Sequence, residues 1–278
     1  MTTEASLFPS LPAAAPAASQ PPAAPAEAAD VAPVGDGPIG RLELLMRDPA
    51  GFLAASDEAL ADPASAAGLA RVLLAAVAVG AGAFGAVVGA HRGGLQVVWC
   101  ALKVPLLLGV TLVVCTPAFV ALARAADLSL GARRVVALSL ASCARFALVL
   151  LGLAPVVWLS QGWSMGYHRV ILAVVAVCAV AGVAAARLTF RGLARAGEGG
   201  ARVGLAVVAL FALVGAQTSW ILRPYVVRPR TEHVPFVRAL EGDFLAAVAT
   251  TARSAVLYSG RRAADVRNGN EGDEGGEP

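Results

Sequence analysis

The stretch "VGAQTSWILRPYVVRPR", Val214–Arg230, shows an apolar run coming to its end. Trp220 and Tyr225 bracket that end, and amphipathic aromatic rings favour the layer where a membrane meets water. Arg223 adds a positive charge at the same level, and Pro224 prevents a helix from continuing. The stretch is therefore typical of the last turns of a transmembrane helix.

The composition of the whole chain agrees with a membrane location. The 278 residues are 58% hydrophobic and 15% charged, with a mean hydropathy of +0.70, and a soluble domain of this kind would expose large apolar patches. About 20 apolar residues cross a bilayer. Five runs are long enough, namely 69–90, 95–122, 135–159, 170–187 and 203–222. We predict an all-α membrane protein, a bundle of about five transmembrane helices with flanking interfacial helices and disordered tails. Four or six spans also fit this pattern.

Composition divides the chain into five parts. Residues 1–38 are rich in Ala and Pro and lack basic residues, which predicts a disordered tail and no secretory signal. Residues 39–66 place apolar side chains at helical spacing, which predicts amphipathic helices beside the membrane. Residues 67–223 form the predicted five-span domain. An interfacial segment, 224–260, and a disordered polar tail, 261–278, follow.

The distribution of arginine predicts the orientation. The loops on the side of the N terminus contain most of the loop arginines, namely Arg124, Arg133, Arg134, Arg187, Arg191, Arg195 and Arg202. The opposite loops contain Arg92 and Arg169. The positive-inside rule then places the N terminus in the cytoplasm, although a basic cluster after the last span argues against this. Because the arginines stand singly or in pairs beside apolar runs, we expect no nucleic-acid partner.

Four polar or helix-breaking residues inside the spans are candidates for a functional role. Lys103, the one lysine of the chain, lies well inside the second run, where a charge is costly. It either snorkels to the headgroups, fixes the packing of the bundle, or forms a substrate or ion site. Arg145 is either buried or marks the membrane edge. Pro105 frees a backbone carbonyl, and Gln217 needs a hydrogen-bond partner on another helix.

Other residue types predict packing rather than chemistry. Gly85 and Gly89 share a four-residue register, which allows close helix packing. The cysteines lie inside apolar runs, which predicts that they are small residues of the core. The histidines lie at or beyond the ends of spans. Neither an HExxH motif nor a pair of intramembrane aspartates is present, and we expect no GxSxG nucleophile elbow. We therefore expect no metal site, no cofactor and no enzymatic activity.

Three segments together resemble an uncharacterised family of bacterial polytopic membrane proteins of the Yip1-like type. They are an early Leu-Leu…Asp-Pro segment, Leu44–Phe52, a K-x-P-L-L span, Lys103–Leu107, and a Q-x-x-W-x-L-R-P-[FY] ending, Gln217–Tyr225. Some members are labelled actin-binding WH2 domain-containing proteins, but the chain shows no LKKT-like motif. The resemblance implies a multi-pass protein of the bacterial inner (cytoplasmic) membrane that acts as an adaptor.

The function expected from these features is that of a non-enzymatic integral membrane scaffold or organiser. Its partners would be the lipid bilayer, anionic lipids and other membrane proteins. The alternative is a small transporter or channel subunit for an anionic solute. The residues expected to make structural, lipid or ligand contacts are Lys103, Pro105, Arg145, Gln217, Trp220, Arg223, Pro224 and Tyr225.

Overall fold

The computed structural model describes residues 37–162 and 167–222 together with Tyr225 and Phe236, without the side chains at 162 and 167–169. The predicted tails, Arg223, Pro224 and most of the predicted segment 224–260 lie outside this description. Every regular element in the described part is a helix. The helices are α1 (Pro38–Arg47), α2 (Pro49–Ala59), α3 (Pro63–Gly89), α4 (Leu95–Ala125), α5 (Ala132–Gly162), α6 (Tyr167–Ala194) and α7 (Gly200–Ile221).

The predicted all-α membrane fold is confirmed by the helices α3 to α7. In the described part of the chain, these five are long and apolar enough to cross a membrane. α3 packs against α4 and α5, α5 packs against α6, and α7 packs against both α6 and α4. The helices therefore form a ring in the order α3, α4, α7, α6, α5.

The five long helices are unequally buried. Half of the most apolar window of α3 and of α5 is buried, compared with 28% for α4 and 17% for α6 and α7. α3 and α5 therefore supply most of the core, while the other three helices present most of their apolar surface to the bilayer.

Local signals at the start of each early helix explain where it begins. α1, α2 and α3 each begin with a proline, which suits a first helical position because no intrahelical N–H bond is needed there. The Asp48 carboxylate accepts a hydrogen bond from the Ala50 N–H at 3.0 Å before α2. The Asp62 carboxylate accepts one from the Ser65 N–H at 2.8 Å before α3. This bond lowers the pKa of Asp62.

Two glycines of α3 allow α4 to approach closely. A Cβ added at Gly89 would lie 2.5 Å from the Gln96 carbonyl oxygen, and one added at Gly85 would overlap the Cys100 carbonyl. The four-residue register noted in the sequence therefore faces α4 within the same bundle, and the backbones of the two helices touch there.

The helices α1 and α2 form a hairpin, Pro38–Ala59, that packs onto one end of the ring. α1 contacts α3 and α5, and α2 contacts α3 and α6. Leu45 is fully buried and Phe52 is 3% exposed, so the apolar side chains of the hairpin join the main core. The hairpin is therefore part of the bundle.

Candidate functional site

Lys103 lies in α4 with its side chain fully buried. Its ammonium nitrogen is 5.8 Å from the ring centroid of Tyr225 and 5.0 Å from that of Phe236. A cation within about 6 Å of an aromatic ring is attracted by the negative face of the ring, and this attraction grows when water is excluded. The buried charge is thus stabilised in part by two rings that follow α7 in the sequence.

The backbone of Tyr225 is held on the same face of α4. Its carbonyl oxygen accepts hydrogen bonds from the Gln96 amide nitrogen at 3.1 Å and from the Cys100 thiol at 3.2 Å. Gln96, Cys100 and Lys103 recur at helical spacing, so they share one face of α4. The Phe236 ring lies 4.8 Å, centroid to centroid, from the Trp99 ring. Tyr225 and Phe236 therefore both lie against the first turns of α4.

The structure brings together parts of two sequence segments that were singled out separately. Lys103 opens the K-x-P-L-L segment, and Tyr225 closes the segment that begins at Gln217. Gln217 and Trp220 lie half-buried in the last turns of α7. Burial raises the pKa of the Tyr225 phenol above its ordinary value. We call Gln96, Cys100, Lys103, Tyr225 and Phe236 the lysine cluster.

The geometry of the lysine cluster favours one of the three roles considered for Lys103. A snorkelling lysine ends at the headgroup layer, whereas this side chain is fully buried and its ammonium group lies near two aromatic rings. The contacts join α4 to the chain beyond α7, which is what a packing role requires. Pro105, half-buried, follows within the same uninterrupted helix.

Arg145 connects α5 to the hairpin. Its Nη1 donates a hydrogen bond to the Leu45 carbonyl oxygen at 3.1 Å. A helical side chain leans toward the N terminus of its helix, which in α5 is the end that carries the hairpin. The contact therefore favours a position at the membrane edge over one deep in the bilayer. The Nε of Arg145 is buried and has no hydrogen-bond partner among the described residues.

Two further arginines hold the hairpin. Both terminal nitrogens of Arg195 donate to the Ala50 carbonyl oxygen at 3.1 Å. The Nε of Arg134 lies 2.9 Å from a carboxylate oxygen of Asp57. The sequence pattern of these arginines indicates only the topology of the chain. Their contacts could not be identified from a single sequence, because an arginine beside a span follows the same local pattern whether or not it is paired.

Polar side chains also join the long helices to each other. The Gln161 amide nitrogen donates to the Val87 carbonyl oxygen at 2.9 Å and links the far ends of α5 and α3. The hydroxyls of Ser142 and Thr189 are 2.9 Å apart and link α5 to α6. In a bilayer such bonds favour one packing arrangement of the helices.

A metal-binding cluster and a nucleophile elbow are two features typical of catalytic sites. No group of three His, Cys, Asp or Glu residues in the described part could hold a metal ion. The sequence does contain one match to the GxSxG pattern of a nucleophile elbow, "GWSMG" at 162–166, so the expectation that this pattern is absent is wrong. That elbow joins a strand to a helix. Here the motif begins at Gly162, the last residue of helix α5, and ends directly before helix α6, so a helix and not a strand precedes it. Residues 163–166 themselves lie outside the description.

Comparison of the chain with protein-family models, with curated proteins and with solved structures finds no match.

Proposed function

We propose that the protein is a non-enzymatic integral membrane scaffold or organiser that binds lipids or membrane-protein partners. One observation supports this proposal most strongly. Polar side chains of the long helices make hydrogen bonds and cation–π contacts with other helices or with the chain beyond α7. Lys103 lies against two aromatic rings, Gln96 binds the Tyr225 carbonyl, and Gln161 binds α3. Ties of this kind suit a bundle that keeps one shape, whereas alternating access needs parts that move against each other.

The outer surface of the ring supports the same proposal. Large apolar side chains are exposed on the outward helices, for example Val113 of α4 at 72%, Leu172 of α6 at 67% and Leu205 of α7 at 67%. In a bilayer these side chains contact lipid tails or the helices of another membrane protein. The resemblance to Yip1-like proteins favours an adaptor role, with the hairpin in the cytoplasm of a bacterial cell.

A transporter or channel subunit for an anionic solute is the second candidate. The observation that favours it is a cation inside a span, Lys103, on a helix that also contains Pro105 and Pro117. For this function the two rings would have to leave the ammonium group so that a solute could reach it.

The test compares three full-length proteins purified from native membranes in a mild detergent. They are the wild type, Lys103→Met, and the matched control Leu106→Ala, which changes a side chain on the same helix that is 42% exposed. Co-purifying proteins and lipids are quantified by mass spectrometry. The same preparations are then reconstituted into vesicles, and uptake of phosphate and chloride is measured.

A stoichiometric protein partner in the wild type and in Leu106→Ala, without uptake, is the expected result. Uptake that Lys103→Met abolishes and Leu106→Ala retains would overturn the scaffold proposal and support the transporter. Absence of both a stoichiometric protein partner and retained lipid from all three preparations would also overturn the scaffold proposal.

A further inference from the structure

A groove runs between the first turns of α3 and α5, at the end of the ring that carries the hairpin. Its volume is about 440 Å³. The described side chains that line it are apolar, with the exception of Arg133 at one end. Ala66, Ala70 and Ala137 contribute only methyl groups to the lining. We call this feature the α3–α5 groove.

The packing of the two helices explains why the groove is open. Near their middles α3 and α5 meet closely, because a Cβ added at Gly80 would lie 2.8 Å from the Ala147 carbonyl oxygen. Nearer to the N terminus of each helix, Ala70 and Ala137 both line the groove. Because Gly80 and Ala147 also meet farther along the two helices, α3 and α5 run in the same direction. Side chains as small as alanine do not fill the space between them there.

The groove lies at the level where lipid headgroups are expected. α3 has 27 residues and α5 has 31, which corresponds to about 40 and 46 Å. The hydrocarbon core is only about 30 Å thick, so both helices extend beyond it. On the hairpin side Arg71, Arg133 and Arg134 are exposed in the first turns. The groove therefore begins among phosphates and leads toward the acyl chains.

The charge at the mouth of the groove suits an anionic group. Arg134 is paired with Asp57, whereas the neighbouring Arg133 makes no hydrogen bond or ion pair with any described residue. A guanidinium group can bind two oxygens of one phosphate. The groove thus has Arg133 at its mouth and an apolar lining that leads away from it. This arrangement matches a molecule with a phosphate at one end and a hydrocarbon chain at the other.

We propose that the α3–α5 groove binds one anionic glycerophospholipid of the leaflet on the hairpin side. Its phosphate binds Arg133, and one acyl chain lies along Ala66, Ala70 and Ala137 toward Leu73 and Leu140. The bound lipid covers apolar surface that would otherwise face the headgroup layer, and this burial is favourable. The inference rests on the proposed function, since it names the lipid class that the scaffold binds.

The test measures lipid retention by the full-length protein. Wild type, Arg133→Gln, Ala70→Leu and the control Arg71→Gln are purified and exposed to vesicles of phosphatidylglycerol and phosphatidylethanolamine in equal amounts. Arg71 is an exposed arginine in the same turns of α3 and is not part of the groove lining. Bound lipid is counted by native mass spectrometry. Ala66→Leu replaces Ala70→Leu if the latter fails to give a monodisperse protein.

Arg133→Gln is expected to reduce the preference for phosphatidylglycerol about fivefold, the effect of one basic residue near an anionic surface. Ala70→Leu should remove the bound lipid of either headgroup, and Arg71→Gln should behave as the wild type. Equal retention by all four proteins would overturn the inference. Recovery of residues 1–36 cross-linked to the groove, in place of lipid, would also overturn it.

The two proposals can fail separately in the same preparations. A stoichiometric protein partner that persists while all variants retain the same lipid would refute only the groove. Groove-dependent lipid binding without any protein partner would support the groove and would overturn the protein-binding role of the scaffold.

Discussion

The substitution Gly85→Ala tests the close contact between α3 and α4. The added Cβ would overlap the Cys100 carbonyl oxygen and would lie 2.8 Å from its carbon and 3.1 Å from the Ala101 Cα. These atoms belong to the backbone of α4, so no side-chain rotation can remove the overlap. The helices must separate, and the polar ties of the lysine cluster on the same turns of α4 would be strained.

The expected loss of stability follows from two opposing effects. Overpacking of this kind costs about 1–3 kcal/mol, while alanine favours a helix over glycine by about 1 kcal/mol. Gly109→Ala in α4 is the matched control, because an added Cβ there meets nothing within 4 Å. Both variants gain the helix-propensity term, so the difference between their unfolding free energies should equal the overpacking term, about 1–3 kcal/mol.

The assay is unfolding of the purified protein in mixed micelles by increasing mole fractions of sodium dodecyl sulfate. Helix content is followed by circular dichroism. We expect Gly85→Ala to unfold at a lower fraction than the wild type and Gly109→Ala to unfold at an equal or higher one. Equal midpoints for the two variants would show that α3 and α4 are not in backbone contact at Gly85, and the reasoning would be refuted.

Three further predictions concern the hairpin, the lysine cluster and the start of α3. Arg195→Gln should speed proteolysis and amide exchange of α2 with little change in the free energy of unfolding of the whole protein. The reason is that an exposed charged interaction, such as that of Arg195 with the Ala50 carbonyl oxygen, contributes at most about 1 kcal/mol. Unchanged amide exchange would contradict this prediction. Gln96→Leu should lower the unfolding free energy by about 1 kcal/mol, since one of the donors to the Tyr225 carbonyl is lost; a stability equal to the wild type would show that this bond contributes nothing. The lowered pKa of Asp62 means that its cap stabilises the folded state above pH about 4 and loses this effect as the pH falls through the folded-state pKa. Amide exchange at Ser65 should then rise in that acid range in the wild type, and it should not do so in Asp62→Asn.

The spans could be predicted because apolar length is a local property of the chain. The run 95–122, for example, lies within α4, Leu95–Ala125. The cost of a charge inside such a run is equally local, which is why Lys103 could be singled out. Its contact with Tyr225 could not be predicted, because the two residues are far apart in the sequence and meet only in the folded chain.

Arg195 and Gln96 make contacts that the sequence analysis does not predict, for different reasons. Arg195 follows the pattern of a topology-setting arginine, and nothing in its neighbourhood indicates that it also binds the Ala50 carbonyl. Gln96 was available to sequence reasoning, since it shares a helical face with Cys100 and Lys103. It was passed over because a glutamine at the beginning of a span is also a common interfacial residue.

The ring order of the helices has a consequence for biogenesis. The ribosome delivers α3, α4, α5 and α6 to the membrane before α7, yet α7 lies between α4 and α6. Until that last span is inserted, the four earlier helices can form only an open arc. Gln96, Cys100 and Lys103 lie on one face of α4. Their contacts with Tyr225 and Phe236 can form only after these two residues have been synthesised, which is later still. A nascent chain halted before α7 would thus lack the carbonyl group and the aromatic rings that contact this face of α4 in the finished protein.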